Sequence, residues 1–171
     1  DHRERDSYLD PDTLDAELLT AALHDRANFA VLYHRYVAQV YAYCRRRLDE
    51  PDAEDITSHI FLQALSKLES CRGPSFRAWL FTILRNHYYS QLRKSKREVE
   101  DADGKFAARM STRPEQDGSV DLEDFKVAFQ QLAPDHREVL TLVGASGCSY
   151  EEAAQICGCA VGTIKSRVNR A

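Results

Sequence analysis

Apolar positions recur along most of this chain at intervals of three and four, the period of a helix face turned toward a core. Leu14, Leu18, Leu19, Ala22 and Leu23 predict a first helix. Phe29, Leu32, Tyr33, Tyr36, Val37, Val40, Tyr41 and Cys44 predict a second over about 27–48. A third, over 52–68, would bury Ile56, Ile60, Phe61, Ala64, Leu65 and Leu68. Pro51 suits a first helical turn, where its missing N–H costs nothing. Asp52, Glu54 and Asp55 suit the positive end of the helix dipole. After the break Arg72-Gly73-Pro74-Ser75, a fourth helix is predicted over 76–96. Its inward positions are Phe76, Trp79, Leu80, Ile83, Leu84, Tyr88 and Leu92. No alternating Val/Ile-rich run competes with these patterns, so the expected fold is all-α.

Periodicity lapses after the fourth helix. Residues 97–120 include Gly104, Pro114 and Gly118 and read as a flexible linker. A connection of that length is uncommon inside one compact domain, so two helical domains are expected, near 14–96 and 121–171. In the second, short helices are expected over 121–131 and, after Pro134, over 135–143. Then comes SYEEAAQICGCAVGTIKSRVNR. Ser149 and Glu152 have the spacing of a capping box. Ala153, Ile156 and Cys157 form an apolar stripe, and Gly158 can take the positive φ that ends a helix. Val161, Ile164 and Val168 give a second helix its inner face at i, i+3 and i+7. The outer face carries Thr163, Lys165, Ser166, Arg167, Asn169 and Arg170, side chains that hold phosphates or read base edges. Two short helices across a tight turn, the second one basic, form a helix-turn-helix. Arg167 lies nearest the apolar seam, which makes Lys165 and Arg170 the better DNA contacts.

Charge sharpens this picture. The net charge is −4, which argues against a uniformly basic surface. Residues 72–97 nevertheless hold seven Arg or Lys and no acid, whereas 98–124 hold nine acids against three bases. Any contact with DNA is therefore made at two separate places. On the fourth helix, Arg77, Arg85, His87, Tyr89, Arg93, Lys94, Lys96 and Arg97 fall on outward positions. Cations interleaved with aromatics suit a single strand, whose bases stack and whose phosphates need neutralising. Trp79 is read as core. The odd set of five cysteines fits reduced thiols better than a disulfide framework. Cys157 and Cys159 have no His or second cysteine pair nearby to complete a zinc set, so neither metal nor cofactor is expected. No apolar run is long enough to cross a bilayer.

These residues carry a resemblance. FAVLYHRYVAQVYAYCRRRL, DAEDITSHIFLQALSKL, FRAWLFTILRNHYYSQLRKSKR and LAPDHREVLTLVGASGCSYEEAAQICGCAVGTIKSRVNRA, in this order, resemble bacterial sigma factors of the extracytoplasmic-function group over about 14–171. The last segment looks like the alphaproteobacterial general-stress subgroup. The resemblance implies that 14–96 binds core RNA polymerase and the promoter −10 element, and that 121–171 binds the −35 element. It implies polymerase contacts at Asp52, Glu54, Asp55, His59 and Gln63. It also places Arg72, Gly73, Pro74, Ser75 and Asn86 where the family takes a flipped −10 base, with Arg93, Lys94 and Lys96 along the strand's phosphates. Extracting a base costs a few kcal/mol, which pocket contacts must offset. An anti-sigma partner and a bacterial cytoplasmic setting are implied too.

Three departures limit the transfer. The 72–75 loop looks about a residue shorter than in some members and carries Pro74, so base preference does not carry over. Ser90 stands where members often have Asp. Arg170 is followed by one residue, where the family's recognition helix usually runs another turn, so further residues are expected beyond Ala171. The alternative is a sigma-like mimic that keeps the fold to sequester an anti-sigma factor. A mimic need not keep both basic segments, and both are present here. A plain helix-turn-helix repressor would leave the aromatic and basic fourth helix unexplained. His34, His59, His87 and His136 are scattered, and neither a Gly-rich phosphate loop nor a nucleophile–base pair is found, so the chain is not read as an enzyme. The promoter, the inducing signal and the identity of the anti-sigma partner are not legible from residues alone.

Overall fold

The computed structural model describes residues 11–73, 75–101 and 120–171. Within them the elements are helices joined by turns: α1 Pro11–His24, α2 Phe29–Arg45, α3 Glu50–Ser66, α4 Phe76–Asp101, α5 Val120–Gln131, α6 Pro134–Leu140, α7 Tyr150–Cys157 and α8 Val161–Arg170. Short 3₁₀ turns lie at Arg26–Asn28 and Leu68–Ser70. A π-helical turn, Thr141–Ala145, continues α6. No strand occurs among the described residues.

The first domain packs α2 against α3, with α1 and α4 closing over them. Leu32, Tyr36 and Val40 of α2, Ile60 and Ala64 of α3, and Leu80, Phe81 and Leu84 of α4 fill the centre and are 2 % exposed or less. Each large side chain buried this way contributes about 1.5–3 kcal/mol relative to leaving it in water. Asp15 on α1 is also buried; it accepts a hydrogen bond from the Tyr36 hydroxyl and sits 2.9 Å from Arg35 Nε. This polar clasp sets α1 on α2. The α3 start is capped as its acidic opening suggests: Asp49 accepts from the Asp52 N–H, and Pro51 lies in the first turn.

The second domain buries Val139, Leu142, Ala153, Ile156 and Ile164. The capping box at Ser149 and Glu152 is complete, and Gly158 takes φ 65°, ψ 37° to end α7. An L side chain at that φ would push its Cβ toward the following carbonyl, which is why glycine stands there. In the π turn the Ser146 N–H reaches back five residues to the Thr141 carbonyl at 2.9 Å. Local spacing gives no warning of it.

One expectation needs amendment. The fourth helix runs on to Asp101 instead of ending at Lys96, so 97–101 belong to α4 and not to the linker. Arg97, Glu98 and Glu100 are straight-chain residues that lose little freedom in a helix, so the loss of apolar period does not end it. The rest of the expected linker, 102–119, lies outside the described residues. In addition, α4 packs directly against α7, so the two domains meet face to face.

Candidate nucleic-acid interface

The helix-turn-helix is α7 and α8. Ile164 is completely buried, with Val161 and Val168 half-buried beside it on the inner side of α8. That seam fixes which way the helix turns its other side. Lys165, Ser166, Asn169 and Arg170 are exposed, and Thr163 is half-buried. Arg167 is held at the seam, 3.3 Å from Asp135 of α6. Four of the six residues singled out on this helix thus share an open cationic and amide face, the donor set that pairs with phosphates and base edges.

On α3, Asp52, Glu54, Asp55 and His59 are exposed and Gln63 is half-buried. Asp52, Asp55, His59 and Gln63 follow one another at three- and four-residue intervals on one side of the helix. Leu62, 66 % exposed, stands on the same helix and was not singled out from the sequence. An outward leucine within a helical period looks like a lapse in the pattern, yet a large exposed apolar side chain one turn beyond His59 suits a partner surface. The His59 and His87 rings lie 4.5 Å apart, linking α3 to α4. Burial, and then the neighbouring His59, push the His87 pKa below its ordinary value of 6.5.

The surface expected to meet single-stranded DNA is only partly open. Arg72, Gly73, Asn86, Arg93, Lys94 and Lys96 are exposed, and Gly73 takes φ 97°. Pro74 lies outside the described residues. Ser75, expected in a base-binding loop, is buried. Its Oγ accepts from the Ala78 N–H at 3.1 Å, capping α4, and donates to Glu152 Oε2 of the second domain at 2.8 Å. Arg77 donates to the Gly147 carbonyl at 2.9 Å and lies 3.8 Å from Glu152. Glu152 therefore joins two helix starts. One oxygen accepts from the Ser149 N–H of its own capping box, and the other accepts from the residue that caps α4.

A second bridge is built around Glu138 of α6, which is 5 % exposed. Tyr43 donates to Oε1 at 2.8 Å, Arg47 and Tyr89 donate to Oε2 at 3.1 and 3.2 Å, and Arg85 Nε lies 3.8 Å from Oε1. All four partners belong to the first domain. Arg47 also lies over the Tyr43 ring, 3.8 Å from its centroid. Burial and then Glu138 push the Tyr89 phenol up to about 12, and burial raises Tyr43 well above its ordinary value. Both therefore stay protonated and donate at neutral pH. Helical spacing alone puts Arg77, Arg85 and Tyr89 on an outward face. The structure turns them toward the second domain.

Burial raises the thiols of Cys44, Cys71 and Cys157 to about 11 and that of Cys148 to about 12, which leaves them protonated at neutral pH. Among the described residues no group of three or more His, Cys, Asp or Glu is placed to hold a metal ion. No helix among them is long and apolar enough to cross a membrane.

A helical domain carrying an acidic helix and a basic helix, followed by a helix-turn-helix with an open cationic face, defines a two-domain DNA-binding protein. Its relatives narrow the class. The sigma-70 region 2 family matches residues 32–98, and the sigma-70 region 4 family matches residues 122–171. The ECF RNA polymerase sigma factor EcfG of Rhodopseudomonas palustris (strain TIE-1) is 54% identical over 120 residues, covering 70% of this chain and 66% of that protein. The ECF RNA polymerase sigma-E factor of Haemophilus influenzae is 32% identical over 162 residues, covering 86% and 85%. Among solved structures, the sigma factor RpoE of Bartonella quintana, in complex with the anti-sigma factor NepR, has a TM-score of 0.70 at 46% identity, covering 84% of this chain and 91% of that one. CnrH, in complex with the cytosolic domain of CnrY, has a TM-score of 0.62 at 25% identity, covering 94% and 90%. The chain belongs to the sigma-70 family of RNA polymerase sigma factors, in its extracytoplasmic-function group.

Proposed function

We propose that this chain binds core RNA polymerase and directs it to promoters, dividing the work among three surfaces. The α3 face of Asp52, Glu54, Asp55, His59 and Gln63, with Leu62 added, docks on the polymerase. Lys165, Ser166, Asn169 and Arg170 of α8, with Thr163 at the edge, read duplex DNA at the −35 element. Arg167, tied to Asp135, orients α8 and contributes less to binding. Arg72, Gly73, Pro74 and Asn86 meet the melted −10 strand, and Arg93, Lys94 and Lys96 follow its phosphates. The chain acts by binding, and bond-making belongs to the polymerase. The setting is the bacterial cytoplasm, where the promoter is.

The observation that carries this reading is the split on α8: Ile164 fully buried, and Lys165, Ser166, Asn169 and Arg170 exposed on one solvent side. An anti-sigma factor is the expected antagonist. RpoE and CnrH stand in their structures with an anti-sigma factor and with the CnrY cytosolic domain, respectively. The likeness of the last segment, LAPDHREVLTLVGASGCSYEEAAQICGCAVGTIKSRVNRA, to the alphaproteobacterial general-stress subgroup supports a general-stress role.

The test compares two variants on one promoter. Arg170→Ala should weaken duplex −35 binding; a lost bidentate base contact costs about 1–3 kcal/mol. Asn86→Ala should spare duplex binding and impair strand opening, read by permanganate reactivity in the presence of core polymerase. Equal loss of duplex binding in both variants would refute the division.

A further inference from the structure

Glu138 occupies an anion receptor built wholly by the first domain. Tyr43 and Arg47 come from the end of α2 and the turn that follows it; Arg85 and Tyr89 stand one turn apart on α4. Two guanidiniums and two phenols surround a single carboxylate. Positive charge and donors are over-provided: the Arg85 Nε is buried, 3.8 Å from the carboxylate, and makes no hydrogen bond. Immediately beside Glu138 a groove of about 250 Å³ is lined by Arg46, Arg47 and Arg137 together with Tyr88, Tyr89 and Phe129. Burial, and then the neighbouring Arg47, push the Arg46 pKa below its ordinary value. Such a concentration of cations calls for more negative charge than one carboxylate supplies.

The receptor also continues a line. Arg85, Tyr89 and Arg93 fall at successive i+4 positions on α4. Tyr89 donates to Glu138, Arg85 lies 3.8 Å from it, and Arg93 is exposed next along the same side. A carboxylate and a phosphodiester present the same demand, one negative charge shared by two acceptor oxygens, and a guanidinium fork satisfies either. We propose that Tyr43, Arg47, Arg85 and Tyr89 form a phosphate-binding site for a single-stranded nucleic acid, which Glu138 fills in cis while the two domains are packed together. The inference rests on the reading that α4 meets melted DNA, and adds residues and a competitor that this reading does not contain. Separating the domains without a replacement anion would leave two guanidiniums facing each other. A strand phosphate supplies that replacement, so strand binding and domain separation favour each other, reciprocally.

The experiment uses the full chain and a fluorescent single-stranded oligonucleotide, with binding read by anisotropy and domain separation by small-angle scattering. Glu138→Gln keeps the side-chain size and removes the competing charge. It should bind the strand about tenfold tighter, the change expected from freeing one charge-assisted contact. The double variant Glu138→Gln/Arg85→Ala should lose that gain, as should a methylphosphonate oligonucleotide on the single variant. No gain in Glu138→Gln, or a gain that survives in the double variant, overturns the proposal. If millimolar inorganic phosphate abolishes the gain, the site takes free phosphate and the strand assignment falls. A measurement on the unaltered chain guards against a variant that does not fold: the Arg85 Nε–H resonance should shift on adding the strand, and an unmoved resonance overturns the site. Asn86→Ala, run in parallel, separates the two claims. If it leaves strand binding unchanged, the −10 reading fails, while the receptor stands or falls on Glu138→Gln.

Discussion

Glu152→Ala should destabilise the domain to which Glu152 does not belong. Its carboxylate accepts the Ser149 N–H at 3.1 Å in its own helix and the Ser75 hydroxyl at 2.8 Å across the interface. Losing half of a capping box costs about 0.5–1 kcal/mol, toward the low end for caps. Losing a hydrogen bond to a charged acceptor costs about 1.5–3 kcal/mol. The interfacial part, roughly 2 kcal/mol, would shift a urea midpoint by roughly 1 M at an m-value of about 2 kcal/mol/M. The chain has one tryptophan, Trp79, and it lies on α4 packed against Phe76, so its fluorescence follows the unfolding of the first domain. Urea unfolding followed at Trp79 should therefore move to lower denaturant in Glu152→Ala, whereas Ser149→Ala should move it little. A double-mutant cycle of Ser75→Ala with Glu152→Ala should show a coupling of about 1–2 kcal/mol, within the range for residues in contact. An unchanged Trp79 midpoint, or strictly additive effects, would refute the claim that Glu152 binds the domains together.

Other outcomes follow from single sites. Asp55→Lys should weaken binding to core polymerase with helicity by circular dichroism unchanged; unaltered affinity removes α3 from the docking surface. His87 is held below its ordinary pKa, so the unfolded chain takes up that proton first as pH falls. Its contribution is therefore retained above about pH 6.5, the unperturbed histidine value, and lost below it. His87→Gln should flatten the stability–pH curve between about pH 7 and 5, and an unchanged slope contradicts the assignment. Gly158→Ala places a Cβ at φ 65°, a strain of about 1–2 kcal/mol. Nothing lies within 4 Å of the added Cβ, so the loss, measured by thermal unfolding, should not exceed that range.

Much of the local structure was legible because its causes are local. Ser149 and Glu152 form their box, Gly158 ends α7, and Pro51 opens α3, each through neighbours within four residues. Arg167 could be placed at the α8 seam by spacing alone, and its half-buried position beside Asp135 agrees. The interface was not legible. Arg77 and Arg85 read as outward cations of α4, Glu152 as half of a local capping box and Glu138 as nothing in particular, and only the assembled fold brings these opposite signs together. Ser75 shows the difficulty well. In sequence it belongs to a Gly-Pro break, yet its hydroxyl both caps α4 and crosses to the other domain. The open outer face of α8 had a clear signal, because a solvated face needs only a buried one opposite it. The π turn at Thr141–Ala145 had none, since its extra residue leaves the composition unremarkable.

The unequal covering of the three surfaces sets an order in time. The exposed acids of α3 and the exposed cations of α8 are both available while the domains are packed, but Ser75, Arg77 and Arg85 are not. On the assignments proposed above, a chain in this form can meet polymerase and intact duplex and still lack its full grip on a separated strand. On the same assignments, that grip comes only when the face of α4 is released from α6 and α7. Promoter melting is then the last appointment rather than the first, and a free chain drifting past chance single-stranded DNA has part of the surface it would need to hold it already occupied.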